Sequence, residues 1–494
     1  MKFNQTQKTT SKTTNFEGGV AYKMDIQTEL YTRVATWLVN EPKFYGDKTT
    51  EMQEILDLIN KVGDKEPKFL LQLASYARNK LHLRSAPILL LGEASCHPKA
   101  RSLVRPFVPD IIKRADELCE IIAYMEKKIG KLGDEEKNTM LPNNLRKGLE
   151  NTMHNFNEYQ YSKYDRNDAA VTMQDVIRLV HPIAKSPEEG ILFGKIAKDE
   201  LGSADTWEVL TMKEGSNKET WEKAATKMPI MALLRNLRNL LDNNVSEQTI
   251  DYAVSQLTNP SKIRNSKQFP FRFLSAYKSI EDYPKAGKFL SALDRAMDIS
   301  IDNLPNMDGI TAVFSDNSDS MNSKISEKSQ VSMKEVGNTL AAIASKLSNN
   351  INGVFGEDFA TLSFSDQDSI LTRTQKLCGK NVGYSTNGYK AFDYLIREGI
   401  KVDRIFLFSD MQCYDDSGYD SSYINNSWRE YKRRVNKDCY LYSFDLRGYG
   451  TVQIPQGDPR VLIVAGWSEN ILKYVPYFEM DRATVLDEIR QIRS

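Results

Sequence analysis

From about residue 25 to residue 295 the apolar positions of the chain recur with a helical period. Met52, Ile55, Leu56 and Ile59 fall at i, i+3, i+4 and i+7, and so do Leu70, Leu73, Ala74 and Ala77. The spacing returns in Val176, Leu179, Val180 and Ile183, and again in Ile230, Leu233, Leu234 and Leu237. Each set lies on one stripe of a helix and has to be buried against a neighbour. Short polar turns between such helices predict stacked pairs, an irregular solenoid of the HEAT type rather than a bundle. Pro87, Pro98, Pro142, Pro187 and Pro270 read as breakers along it.

After Leu304-Pro305-Asn306 the period changes. Short β-rich runs at 311–315, 360–365, 404–409, 439–444 and 461–465 alternate with helical patterns. Val336, Leu340, Ile343 and Leu347 mark one of those helices, and residues 389–396 another. Strand–helix alternation with apolar strands predicts a doubly wound, mostly parallel sheet of the Rossmann type. A chain of 494 residues is too long for one core. The expected organisation is a disordered tail over residues 1–16, a helical domain over 17–300 and an α/β domain over 301–494.

Charge adds little. Lys+Arg and Asp+Glu both number 66, so no global excess points to nucleic acid or a membrane. Residues 301–494 hold 22 basic against 26 acidic side chains, which leaves 44 against 40 before them. That tilt places a polyanion partner on the N-terminal part. The cysteines, Cys96, Cys119, Cys378, Cys413 and Cys439, are scattered, odd in number and without a C-x-x-C. The pattern disfavours a disulfide framework or structural zinc and fits a reducing cytosol. No segment approaches a membrane span, and residues 1–16 lack the apolar stretch of a signal peptide.

Chemistry concentrates after the first strand, where Gly309-Ile-Thr-Ala-Val-Phe-Ser runs into Asp316-Asn-Ser318-Asp-Ser320. The carboxyl edge of an open α/β sheet is where ligands bind. Oxygen donors on alternate residues suit a hard cation such as Mg²⁺ that keeps some waters. Two further loops should meet there: 383–388, with Thr386 ahead of a helix, and the turn after strand 404–409, which begins with Asp410. Together they supply two carboxylates and three hydroxyls.

Asp-x-Ser-x-Ser, a Thr ahead of a helix and an Asp closing an apolar strand resemble the metal-ion-dependent adhesion site of von Willebrand factor A domains. The resemblance implies that Ser318 and Ser320 bind Mg²⁺ or another divalent cation directly. Asp316 and Asp410 then act directly or through water, and Thr386 engages when a ligand binds. The cation keeps an open position for an acidic group of a partner. Asn317 and Asp319 stand where the family has small apolar or glycine residues. The loop from Met411 to Asp420 is acidic and tyrosine-rich, readable as a partner contact or as a solvated loop.

The helical half is similar to the TROVE module of Ro ribonucleoproteins. The similar segments are Gly18-Gly19-Val-Ala-Tyr22, Ala77-Arg78 with Leu83-Arg84-Ser-Ala-Pro87, Leu145-Arg146-Lys147-Gly, and Lys163-Tyr164-Asp-Arg166-Asn167. Asp175-Val-Ile-Arg178-Leu-Val-His181-Pro, Met228-Pro-Ile-Met-Ala-Leu-Leu-Arg235-Asn236-Leu and Phe269-Pro270-Phe271 follow in the same order. The resemblance implies a ring of helical repeats closed by the von Willebrand-like domain. It implies a monomer that binds small non-coding Y-like RNA on an outer basic surface and single-stranded ends of misfolded RNA in its hole. Lys163, Arg166 and His181 carry over as RNA contacts, with Arg146 and Lys147 as further phosphate candidates. The motif holding Lys163 is one residue shorter than the family's and contains Asp165. Each basic residue can equally be a solvated helix face, and His181 a capping or core histidine. Arg235 reads best as an internal ion-pair partner.

Enzyme readings find no support. There is no G-x-x-x-x-G-K-[ST] and no H-E-x-x-H, and Cys96-His97 reads as a structural pair. A haloacid-type phosphatase needs an Asp where Ser318 stands. The expected function is therefore non-enzymatic: an RNA-binding scaffold whose metal site recruits a protein such as a ribonuclease. The alternative is a metal-dependent protein-interaction scaffold without RNA.

Overall fold

A computed structural model of the chain describes residues 12–14, 20–35, 50–132, 140–164, 170–202, 205–268, 270–302, 304–325, 329–413, 423–449, 451–455, 460–465 and 485–493, with isolated residues between 458 and 479. Two compact units emerge: Glu41–Lys213 with Leu486–Ser494, and Met1–Asn40 with Glu214–Val485. The helical region is thus shared between units and does not end as one body near residue 300.

In the first of these units one predicted stripe is buried whole, while Met52 and Leu56 of another are half-buried beside the buried Ile55 and Ile59. Leu70, Leu73, Ala74 and Ala77 of the helix Pro67–Asn79 are sealed from solvent. This helix packs on Ser85–Cys96, and Met173–Val180 packs on Pro187–Lys198. Most of the prolines expected to break helices instead open them. Pro187 and Pro270 are the first residues of their helices, Pro87 is the third residue of Ser85–Cys96, and Pro142 is the residue before Asn143–Met153. First-turn amides have no intrahelical acceptor, so proline loses nothing there.

The stripe ending at Ile183 is a correction. The helix Met173–Val180 stops at His181, which takes a left-handed φ of 54° while its amide donates to the Ile177 carbonyl. Pro182 disfavours the helical conformation at its predecessor, and Ile183 is left 70% exposed.

In the other unit, residues that were expected to form a disordered tail give a strand, β1 (Lys12–Thr14), paired antiparallel with β2 (Val20–Lys23). The remainder of that tail lies outside the described residues. After the helix Gly287–Ile299 come β3 (Met307–Asp316), β4 (Ser348–Phe355), β5 (Phe359–Leu362), β6 (Arg404–Ser409), β7 (Tyr440–Asp445), β8 (Thr451–Val452) and β9 (Val461–Ala465). Six of them form one sheet in the order β5-β4-β3-β6-β7-β9, parallel except for the β4–β5 pair.

The helices Tyr389–Arg397 and Tyr423–Arg434 cover the face that carries Phe314, Ile405 and Leu407, with Phe392, Leu395 and Trp428 in the core. Met333–Lys346 and Ile370–Cys378 pack together, the former also against β3, β4 and β6. β8 joins β2, and the Tyr31 hydroxyl on the helix Ile26–Ala35 donates to the Ala465 carbonyl at 3.0 Å. Residues 20–35 therefore belong to the sheet-bearing unit rather than to the helical repeats.

Candidate functional site

The chain leaves β3 to one side for β4 and returns to the other side for β6, so the strand order reverses at the β3–β6 crevice. Crevices of this kind at the carboxyl edge form the ligand sites of open α/β sheets. Asp316 ends β3 there, and Asp410 follows β6. Both are shut off from solvent, as are Ser318 and Thr386, while Ser320 is half-buried.

The turn after β3 is locked by its own side chains. Asp316 Oδ1 accepts from the Ser318 amide at 2.9 Å and from the Ser318 hydroxyl at 2.6 Å, and Ser318 Oγ meets Ser320 Oγ at 3.2 Å. The Asp319 amide donates to the Tyr384 carbonyl at 3.0 Å, which ties in the loop carrying Thr386. Asp410 is fixed by the Gln412 amide on Oδ1 at 3.1 Å, and Met411 takes a left-handed φ of 64° just after it. Such strain in a non-glycine residue persists only where its surroundings impose it. All five predicted residues thus come from loops that meet at one edge.

Its electrostatics call for a positive charge. Burial pushes the Asp316 carboxyl up, while the Ser318 hydroxyl and amide and the Ser409 hydroxyl pull it back. Burial and the Asp316 carboxylate push Asp410 up to about 7. Asp410 Oδ2 is buried and lacks a hydrogen-bonding donor among the described residues. Two desolvated carboxylates side by side are costly unless a proton or a cation compensates them. No group of three or more His, Cys, Asp or Glu suited to a metal occurs among the described residues. The donor set here is two carboxylates and neutral hydroxyls, hard oxygens that fit Mg²⁺ rather than a soft metal.

Several residues of this edge escaped sequence reasoning. Ser409, read only as strand, donates to Asp316 Oδ2 at 2.7 Å and accepts from Gln453 Nε2 at 3.0 Å and the Met411 amide at 3.1 Å. Its signal was a polar residue closing an otherwise apolar strand. Asp445 ends β7 opposite Ser409 and is fully buried, its carboxyl pushed up by burial to about 6. Asn317 faces away from the oxygen cluster. Its amide donates to the carbonyls of Leu377 (2.8 Å) and Lys380 (3.2 Å), and its Oδ1 accepts from Asn338 at 2.8 Å. It staples the turn to the neighbouring helices. Asp319 is exposed and accepts from Asn322 at 3.0 Å. Cys413 lies beside this edge, but burial raises its thiol well above the ordinary range, so it stays protonated. Residues 414–420 of the acidic loop lie outside the described residues.

The predicted RNA contacts are less uniform. Arg146 is half-buried and donates to the Val180 carbonyl at 3.1 Å and to Asn143 Oδ1 at 3.2 Å, which brings it to the residue preceding His181. His181 is an exposed helix cap rather than a core histidine. Lys147 pairs with Glu150 at 2.7 Å and holds that carboxyl below its usual range. Lys163 is half-buried on the helix Glu158–Tyr164, and Arg166 lies outside the described residues.

Other motif residues are structural. Arg78 and Arg84 both pair with the buried Glu117, at 2.8 and 3.3 Å. Gly148 allows close helix contact, because a Cβ there would stand 2.3 Å from the Val108 side chain. Arg235 corrects its expectation: it is exposed and forms no ion pair among the described residues.

Comparison with known proteins agrees with these motifs. The model of the TROVE domain matches residues 30–199 and 194–289, more than half of the chain. "Telomerase protein component 1" of Mus musculus is 24% identical over 309 residues, covering 46% of this chain and 12% of the mouse protein. Its Rattus norvegicus counterpart is 23% identical over 306 residues with the same coverage. The chain therefore spans only a small part of these relatives. Among solved structures, the Deinococcus radiodurans Ro (RSR) protein superposes with a TM-score of 0.62 at 15% identity, covering 91% of this chain and all of that one. It shares a fold with this chain.

Proposed function

Because the chain belongs to the TROVE domain family, we propose that it is an RNA-binding ribonucleoprotein component of the Ro type. The observation that carries this reading is the TROVE match over more than half of the chain, supported by the shared fold with a Ro protein. Its ligands in this reading are small non-coding, Y-like RNA and single-stranded ends of misfolded RNA. Affinity then rests on Lys and Arg contacts to phosphate and falls with salt.

The sheet edge has a separate role in the proposal. Asp316, Ser318, Ser320 and Asp410 hold Mg²⁺ or another divalent cation, with Thr386 engaging when a ligand binds. The cation supplies an open position for a carboxylate of a protein partner, such as a ribonuclease. No catalysis is assigned to this edge, where the neighbouring thiol is protonated and the Ser318 and Ser409 hydroxyls are committed to Asp316.

The test is the ratio of nucleic-acid to protein absorbance in material purified at low salt, before and after nuclease. A ratio that falls on digestion, with salt-sensitive binding of single-stranded RNA, is the expected result. No change in the ratio and no RNA binding would leave the metal-dependent protein scaffold as the reading.

A further inference from the structure

Three arginines converge on one cleft in the sheet-bearing unit. Arg235 and Arg238 come from the helix Ile230–Asp242 and Arg272 from Pro270–Lys278. The cleft has a volume of about 260 Å³, and Gln268, Ser275 and Met231 also line it. No carboxylate lines it. All three arginines are exposed, and neither Arg235 nor Arg238 forms an ion pair among the described residues. Asp242, one turn beyond Arg238, engages the Tyr283 hydroxyl. The Arg272 guanidinium lies 5.1 Å from the Phe271 ring centroid.

Arg235 and Arg238 are like charges three residues apart on one helix face, and Arg272 reaches the same cleft from a neighbouring helix. Exposed cations cost a fold little, so the pair Arg235 and Arg238, with no carboxylate lining the cleft, is free to take up an anion. Guanidinium forks match phosphate oxygens in pairs, and the Gln268 amide and Ser275 hydroxyl add neutral hydrogen-bonding groups of the kind that meet a ribose hydroxyl. Met231, 49% exposed, gives a soft apolar surface for a base. A base can lie on that surface only when it is not stacked and paired in a duplex, so the cleft suits a single strand.

We propose that this cleft is a phosphate-binding subsite for consecutive nucleotides of single-stranded RNA. The inference rests on the RNA-binding reading above and names where the backbone is held. None of the residues singled out from the sequence as RNA contacts belongs to it.

The experiment measures fluorescence anisotropy of a labelled oligouridylate with the full chain, across a salt series. The wild type is compared with the triple variant Arg235→Gln, Arg238→Gln, Arg272→Gln and with the same three positions changed to Lys. The Gln variant should bind at least about tenfold more weakly at low salt. Its slope of log affinity against log salt should shrink by about 2, since each single-strand phosphate contact contributes about 0.7. The Lys variant should keep the slope and lose part of the affinity, because an ammonium cannot pair with phosphate in a fork. Thermal unfolding of both variants should match the wild type, as the three side chains are exposed. A Gln variant with unchanged affinity and slope overturns the subsite alone. Wild-type protein that fails to bind the oligouridylate overturns the RNA-binding reading and the subsite with it.

Discussion

At the sheet edge, Asp316 and Asp410 are sealed from water and interlocked with Ser318, Ser409 and Gln412. On the helices, Arg235 and Arg238 stand exposed without a partner carboxylate among the described residues, and Lys147 is spent on Glu150. Burial makes the first region unforgiving, because every polar atom there needs a partner and a substitution strands several at once. Exposure makes the second permissive, because a surface cation costs little wherever it stands. The same chain therefore places its candidate cation site where geometry is over-determined and its candidate anion site where only convergence in space gives meaning.

The contrast is broken most sharply at Asp316. Asp316→Ala strips the acceptor from the Ser318 amide, the Ser318 hydroxyl and the Ser409 hydroxyl. We expect a loss of about 3 kcal/mol in urea unfolding, since each stranded buried donor costs about 1–3 kcal/mol. Mg²⁺ at a hundredfold excess over its Kd should stabilise the wild type by about 2.7 kcal/mol and do nothing for Asp410→Ala. Equal melting of the wild type in Mg²⁺ and in chelator would remove the cation from the account.

A smaller effect tests the staple. Asn317→Ala should cost about 2 kcal/mol, because it leaves two carbonyls and the Asn338 amide without their partner. Its response to Mg²⁺ should persist, since Asn317 faces away from the oxygen cluster. If stability were unaffected, the turn would owe its shape to the oxygen cluster alone.

Acidity sharpens the comparison further. Asp410 and Asp445 have folded carboxyl pKa values of about 7 and about 6, both above the ordinary 3.8. Between those limits the folded state binds more protons than the unfolded state. Stability in chelator should therefore fall as pH rises from about 4 towards 7. Asp445→Asn should flatten the part between about 4 and 6. A chelated protein that grows more stable over that range would contradict the assignment.

The smallest change is expected on the helices. Arg146→Ala removes the donor to the Val180 carbonyl and should cost about 1 kcal/mol by thermal unfolding. RNA affinity should change by no more than about twofold, because the side chain is committed within the fold.

The sheet edge was legible in the sequence because its residues obey local rules: apolar strands ending on Asp316 and before Asp410, and hydroxyls on alternate positions. Ser409 shared that signal but was hidden inside a strand assignment. β4 was missed because Ser348-Asn-Asn-Ile-Asn-Gly is polar. Its partner β3 supplies the strand geometry that its own residues do not announce. The prolines misled because a first-turn proline and a breaking proline look alike without the helix start. Nothing near Arg235 in the sequence shows what faces it, because Arg272 arrives from another helix. The joining of β2 to β8 spans more than 400 residues, and nothing local marks it.

The central claim is that the helices hold RNA while the sheet edge serves a separate cation. It is tested most directly by anisotropy of single-stranded RNA with wild type and Asp410→Ala, in the same Mg²⁺ buffer, over a salt series. The account predicts binding that weakens steeply with salt and agrees within about twofold between the two proteins. Absence of RNA binding in the wild type, or its loss on removing Asp410 alone in a folded protein, would contradict it.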